Sequence, residues 1–126
     1  MSIAFIVPVL NRFDLFTGMM NTVDHEIYPI ILDNWNVNRG VAPSWNEGMR
    51  RALDKNYTYA VISNDDVWFE ANAIKSMLHT AMFQRATLIC ANVGGGRPRG
   101  ELHRGAADFC CFLVNIPQPY STFWIN

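Results

Sequence analysis

The chain has 126 residues, of which 50% are hydrophobic, and its formal net charge at pH 7 is −1. This length suits one domain with one core, and this hydrophobic content argues against intrinsic disorder. A chain so close to neutral is not expected to bind nucleic acid through a broad basic surface. The sequence has no apolar stretch long enough to span a bilayer and no basic amino-terminal region. We therefore expect neither a membrane span nor a signal peptide.

Apolar runs and helical patterns alternate along the first 93 residues. Unbroken apolar runs predict buried strands over residues 3–10, 27–32, 57–63 and 86–93. Helical spacing predicts a helix after each of the first three strands. The first of these helices is capped by Asn11, the second starts at Ser44 in capping-box form, and the third starts near Glu70.

This alternation predicts an α/β fold with a mostly parallel sheet and helices on both faces. We expect a single domain over residues 1–126, with the strand–helix units in residues 1–93. Residues 94–107 are expected to form a flexible basic loop, and residues 108–126 the last strand and a tail. Because the last strand follows a loop instead of a helix, it is expected to run antiparallel or to lie at an edge.

Polar side chains stand at the carboxyl ends of the predicted strands. The third strand ends at Asp65 and Asp66, and the second strand ends at Asp33. In open α/β sheets, ligands bind beyond the carboxyl ends of the strands. Carboxylates there are hard oxygen ligands that suit Mg²⁺ or Mn²⁺ bound together with substrate phosphates. The alternative is a solvated loop with two surface acids.

The three cysteines are Cys90, Cys110 and Cys111. Adjacent strand residues point to opposite faces, so Cys110 and Cys111 are poor disulfide partners for each other. An odd number of cysteines on buried strands predicts reduced thiols and a cytoplasmic setting.

Four short segments carry a resemblance to a known family: Ile6–Arg12, Leu32–Asn34, Arg39–Ala52 and Ser63–Val67. In this order and at this spacing they resemble the nucleotide-binding half of a GT-A-fold glycosyltransferase, most closely of the family 2 type. The resemblance covers residues 3 to 115. It implies a Rossmann-like GT-A fold, here truncated or minimal, that binds a UDP-, GDP- or dTDP-linked sugar.

The resemblance also implies roles for individual residues in the nucleotide pocket. Pro8 and Asn11 would line the pocket, and Asp33 would accept a hydrogen bond from the base or the ribose. Arg39 and Asn46 would approach the ribose or the diphosphate. Each of these residues has a purely structural alternative, as a strand end, a turn, a helix start or a solvated side chain.

The segment Asn64–Asp66 resembles the metal-binding segment of the family. Asp66 would coordinate a divalent ion, Mn²⁺ or Mg²⁺, that bridges the diphosphate. Asn64 and Asp65 would contact the ribose or the donor sugar. The ion would offset the charge that develops on the departing nucleoside diphosphate.

A basic segment follows the fourth predicted strand. Arg97, Arg99, His103 and Arg104 are candidates to clamp a diphosphate or an acceptor, because guanidinium groups bind such anions bidentately. The alternative is a solubilising loop without a ligand. Three glycines precede these residues, but the spacing of a dinucleotide-binding fingerprint is absent.

A glycosyl transfer that inverts configuration needs a general base near the acceptor hydroxyl. Asp108 and Glu101 are the candidates, because family members often carry an acid near the position of Asp108 and because Glu101 lies in the basic segment. The tail is rich in proline and aromatic residues, which makes it a candidate surface for contact between copies of the chain.

The sequence thus predicts a metal-dependent glycosyltransferase of the hexosyltransferase type. A binding module that keeps the nucleotide-sugar pocket without turnover is the first alternative. A nucleotidyltransferase-like enzyme would need a glycine-rich loop after the first strand, and residues 9–12 contain no glycine. A structural protein whose acids are incidental is the last alternative.

Overall fold

A computed structural model describes residues 3–10, 13–34, 40–91 and 111–116. These residues form five strands and three helices in the order expected of an α/β fold. The strands are β1 (Ile3–Val9), β2 (Ile27–Asp33), β3 (Tyr59–Ser63), β4 (Leu88–Cys90) and β5 (Cys111–Asn115). The helices are α1 (Phe13–Met20), α2 (Val41–Asp54) and α3 (Ala73–Gln84).

The five strands form one sheet in the order β2-β1-β3-β5-β4. Strand β1 pairs in parallel with β2 and with β3, whereas β5 pairs antiparallel with β3 and with β4. The described sheet is therefore mixed, and the predicted mostly parallel arrangement is not confirmed. The antiparallel direction of the last strand is confirmed, but β5 lies inside the sheet and not at its edge.

Helices cover both faces of the sheet. On one face, α1 and α3 pack against the odd-numbered residues of β1, and the fully buried side chains there include Phe5, Met19 and Ile74. On the other face, α2 packs on the even-numbered residues of β1, and its Trp45 ring meets Phe112 edge-on at 5.4 Å. None of the described helices is long and apolar enough to cross a membrane.

The close packing of α2 on the sheet depends on Gly48. A Cβ atom at this position would lie well inside van der Waals contact with the Ile6 Cγ2 atom and 3.3 Å from the Ile6 Cβ atom. Ile6 is fully buried on the central part of β1. The absence of a side chain at Gly48 therefore lets the helix approach the strand that carries the candidate site.

Some predicted boundaries differ from those in the structure. Helix α2 begins at Val41, three residues before the predicted capping box, because Gly40 starts it with a φ of 85°. Helix α3 begins at Ala73 and not near Glu70, because Asn72 lies in the left-handed conformation and its N–H binds Asp24 Oδ2 at 2.8 Å. Strand β4 is shorter than predicted, because residues 86, 87 and 91 lie outside it; the remaining outer parts of the fourth and fifth predicted strands, residues 92–93 and 108–110, lie outside the described residues.

Candidate functional site

The candidate site lies at the edge of the sheet where β1, β2 and β3 end. After β1 the chain moves to β2 on one side, and β3 then returns to the other side of β1. This change of direction is the switch point at which open α/β sheets bind their ligands. Strand β4 ends at this edge, and β5 begins there, with Cys111 opposite Ser63. Ala91 and Cys111 therefore lie at the same edge, where the Ala91 N–H donates to the Cys111 carbonyl oxygen at 3.0 Å.

The end of β2 carries two polar residues with opposite exposure. Asp33 pairs with Val9 across the two strands and is exposed. Asn34 is only 3% exposed, and its N–H donates to the Val9 carbonyl oxygen at 2.9 Å. Of this pair, Asp33 is the one that an incoming ligand can reach.

The end of β3 shows the same contrast. Asp65 is 3% exposed, whereas Asp66 is exposed. The hydroxyl of the buried Ser63 donates to the Asn64 carbonyl oxygen at 2.8 Å and so helps to shape the turn that follows the strand. Asp66 is thus the accessible carboxylate of the predicted metal-binding segment.

The first turn of α2 lies beside the end of β2. The Asn34 Nδ2 group donates to Ser44 Oγ at 2.9 Å, and Ser44 Oγ donates to the Gly40 carbonyl oxygen at 2.7 Å. The predicted capping box is therefore wrong, because Ser44 is the fourth residue of the helix. Asn46 is the sixth residue of the helix and is half-buried.

The structure brings together part of the predicted site. The residues placed at this edge are Pro8, Asp33, Asn46, Asn64, Asp65 and Asp66. The other predicted residues lie outside the described part of the chain: Asn11, Arg39, Arg97, Arg99, Glu101, His103, Arg104 and Asp108. The tail predicted as a contact surface, residues 117–126, also lies outside it.

Among the described residues, no group of three or more histidine, cysteine, aspartate or glutamate side chains could hold a metal ion. The two neighbouring carboxylates, Asp65 and Asp66, offer the oxygen donors that Mg²⁺ prefers. This ion commonly takes only one or two protein carboxylates and completes its shell with water and substrate phosphates. The two carboxylates therefore fit an ion that binds together with a phosphate-bearing substrate. They do not fit a site in which the protein supplies all the ligands of the ion.

The sequence did not single out Asn34 and Ser44 as partners. They are ten residues apart, and only the packing of α2 against β2 brings them together. Pro43 was the available sign that the helix starts early, because proline is favoured in the first turn of a helix. Trp68 lies over Gly18 of α1, where a Cβ atom would be 2.5 Å from the Trp68 ring.

No known protein family, no curated protein and no solved structure matches the chain.

Proposed function

We propose that this chain binds a nucleoside-diphosphate sugar at the carboxyl edge of β1, β2 and β3 and transfers the sugar to an acceptor with the help of Mn²⁺ or Mg²⁺. Displacement would take place at the anomeric carbon. The proposal includes a GT-A-like, Rossmann-like fold. It also includes a cytoplasmic location, which the thiols of Cys90 and Cys111 support.

One observation carries the proposal. The buried polar or charged residues of the described part are Asn34, Ser44, Ser63 and Asp65. All four lie at the edge where β2 and β3 end and α2 begins, whereas the buried residues elsewhere are apolar. Burying polar groups costs free energy, and perturbed or costly arrangements of this kind concentrate at functional sites. This edge is therefore the place where a ligand site is best supported.

The proposed nucleotide pocket lies between the ends of β2 and β3, with the end of β1 in its floor. Neighbouring strands are about 5 Å apart, so the two outer strand ends lie about 10 Å from each other. Asp33 stands exposed on one side and would accept a hydrogen bond from the base or the ribose. Pro8 has no N–H group to donate. The end of β1 would therefore contribute carbonyl groups to the pocket.

Asp66 stands on the other side of the proposed pocket and would hold the divalent ion. Its exposure suits a ligand that shares the ion with substrate phosphates. The burial of Asp65 favours a role in shaping the turn that presents Asp66 over the direct contact with ribose that the resemblance implies. When bound, the ion would offset negative charge on the departing diphosphate.

The alternative is a non-catalytic module that binds a nucleotide sugar. It differs from the enzyme in needing no general base, the role for which Asp108 and Glu101 are the candidates. Arg97, Arg99 and Arg104 would contact the diphosphate in either case.

Calorimetric titration with UDP, GDP, dTDP and CDP, each with and without Mn²⁺, tests the proposal. We expect metal-dependent binding of one nucleotide and at least about a tenfold loss of affinity in Asp66→Asn, since even the partners of metal ligands contribute that much. Asp54→Asn is the matched control, because Asp54 is an exposed carboxylate at the opposite end of α2.

The outcomes separate the alternatives. Binding that is lost in Asp66→Asn but kept in Asp54→Asn supports the site, and release of the nucleoside diphosphate from the matching nucleotide sugar then distinguishes an enzyme from a binding module. A folded protein that binds none of the four nucleotides would refute the proposal and leave a structural role.

A further inference from the structure

A chain of buried and partly buried hydrogen bonds joins the end of β2 to the start of α2. It runs from the Asn34 amide through the Ser44 hydroxyl to the Gly40 carbonyl oxygen, with donor–acceptor distances of 2.9 and 2.7 Å. The Asn34 N–H continues it to the Val9 carbonyl oxygen at 2.9 Å. The chain therefore connects β1, β2 and α2 at the edge that carries the candidate site.

Gly40 depends on this connection because of its backbone conformation. Its φ of 85° and ψ of 168° lie in a region that residues with a side chain rarely adopt, and no side chain caps the helix at this position. The Gly40 carbonyl oxygen accepts the Ser44 hydroxyl and, at 3.4 Å, also the Ser44 N–H. The Ser44 hydroxyl thus bonds back to the carbonyl oxygen four residues earlier, which links the residue before the helix to its first turn without capping a backbone N–H group.

The Asn34 amide is a poor choice if its purpose is stability. Its Oδ1 atom is buried and has no hydrogen-bond partner among the described residues. A buried acceptor without a partner costs free energy, and an apolar side chain of similar size would avoid that cost. What an apolar side chain would not provide is the directed bond to Ser44, so the amide serves to fix a geometry.

We propose that Asn34 is a positioning residue for the ligand site: through Ser44 and Gly40 it fixes the amino end of α2 relative to the ends of β1 and β2. This inference rests on the proposed function in that it takes a nucleoside diphosphate as the ligand. Asn34 does not contact the ligand. It sets the separation between Asp33 and the first turns of α2, from which Asn46 is presented.

The test compares Ser44→Ala and Asn34→Leu with Thr22→Ala. The Thr22 hydroxyl donates to the Met19 carbonyl oxygen at 2.6 Å and accepts a hydrogen bond from the Phe69 N–H at 3.0 Å. Removing this hydroxyl therefore also breaks a hydrogen bond between two segments of the chain. Thr22 precedes β2 and lies at the opposite edge of the sheet. It therefore reports what a comparable loss of stability does to binding without a change at the site.

Two measurements are made on each variant: the dissociation constant of the nucleotide that binds best with Mn²⁺, and the NMR order parameters of the Val41 and Ala42 amides. We expect affinity to fall about threefold to tenfold in Ser44→Ala and in Asn34→Leu, and less than twofold in Thr22→Ala. The double variant should lose no more affinity than either single variant, because both side chains act through one connection. The order parameters should fall in the two site variants only.

Equal affinities in Ser44→Ala and Thr22→Ala at matched melting temperatures would overturn the inference. So would additive losses in the double variant. If the wild type binds no nucleotide, the proposed function fails, and the order parameters decide the positioning role by themselves. Unchanged order parameters of Val41 and Ala42 in Ser44→Ala would then refute it, and a fall confined to the site variants would support it.

Discussion

The substitution Gly48→Ala tests the contact on which the placement of α2 depends. The added Cβ atom would overlap the Ile6 Cγ2 atom and would stand 3.3 Å from the Ile6 Cβ and Cγ1 atoms. Ile6 is fully buried on β1, which is held between β2 and β3, so it has little room to retreat. Overpacking of this kind costs up to about 3 kcal/mol. Alanine regains about 1 kcal/mol as the better helix former, which leaves a net loss of about 2 kcal/mol.

Thermal and urea denaturation measure this loss. For a domain of this length, about 2 kcal/mol lowers the melting temperature by about 7 °C. Gly18→Ala is the matched control, since its Cβ atom would meet the Trp68 ring at 2.5 Å, but Trp68 is 61% exposed and can move aside. We expect Gly18→Ala to change stability by less than about 1 kcal/mol, because the gain in helix propensity offsets the contact.

A double variant separates the clash from other effects. Ile6→Ala removes the atoms that a Cβ at position 48 would overlap, so Gly48→Ala should cost up to about 3 kcal/mol less in that background than in the wild type. A melting temperature of Gly48→Ala at or above that of the wild type would refute the reasoning. Equal costs in both backgrounds would show that the loss does not come from the contact with Ile6.

Three further perturbations have expected outcomes. Gly40→Ala forces a side chain into a backbone region near φ 85° and should lower the free energy of unfolding by about 1–3 kcal/mol, as measured by urea denaturation. Pro29→Val should increase self-association, as measured by analytical ultracentrifugation. The Asn34 N–H bond to Val9 fixes which backbone groups of β2 face β1, and by this alternation the backbone nitrogen of residue 29 faces the open side of β2, where valine restores an N–H donor. An unchanged sedimentation coefficient would count against this prediction. Hydrogen bonds from Arg51 and Arg50 lower the pKa of Glu47. These bonds therefore stabilise α2 fully at pH values above the ordinary glutamate pKa, and the stabilisation is lost as the pH falls through the lowered pKa. The side chains of Arg51 and Glu47 are 49% and 34% exposed, so solvent screens the interaction. We expect Glu47→Gln to cost about 0.5 kcal/mol or less at pH 7 and nothing at pH 2, in melting curves at the two pH values.

The sequence was sufficient for the strands of the parallel part and for the faces of the helices. The runs around Phe5 and Val61 are apolar without interruption because both faces of these strands are buried, and such runs are visible without a structure. The burial of Met49 and Ala52 likewise follows from helical spacing. The predicted clustering of polar residues at the strand ends agrees with the placement of Asp33 and Asp66 at one edge.

What the sequence could not provide depends on contacts between distant residues. The position of β5 between β3 and β4 is set by pairings such as Ile62 with Phe112, which no local pattern specifies. The start of α3 depends on the bond from the Asn72 N–H to Asp24, formed across 48 positions of the chain. The burial that distinguishes Asn34 from the exposed Asp33 appears only when α2 has packed against β2.

The two ends of the sheet are held together in different ways, and the difference favours a ligand site. At the end where β2 begins, Thr22 and Asp24 use exposed or half-buried side chains to bind backbone N–H groups of the segment before α3. Such ties hold the fold at little desolvation cost. At the other end the polar groups of Asn34 and Asp65 are almost fully buried, which is costly, and the accessible acids Asp33 and Asp66 stand next to them. A fold that needed only stability would use the less costly kind of contact at both ends, so the buried polar groups support our proposal that Asp33 and Asp66 are held in fixed positions toward a ligand.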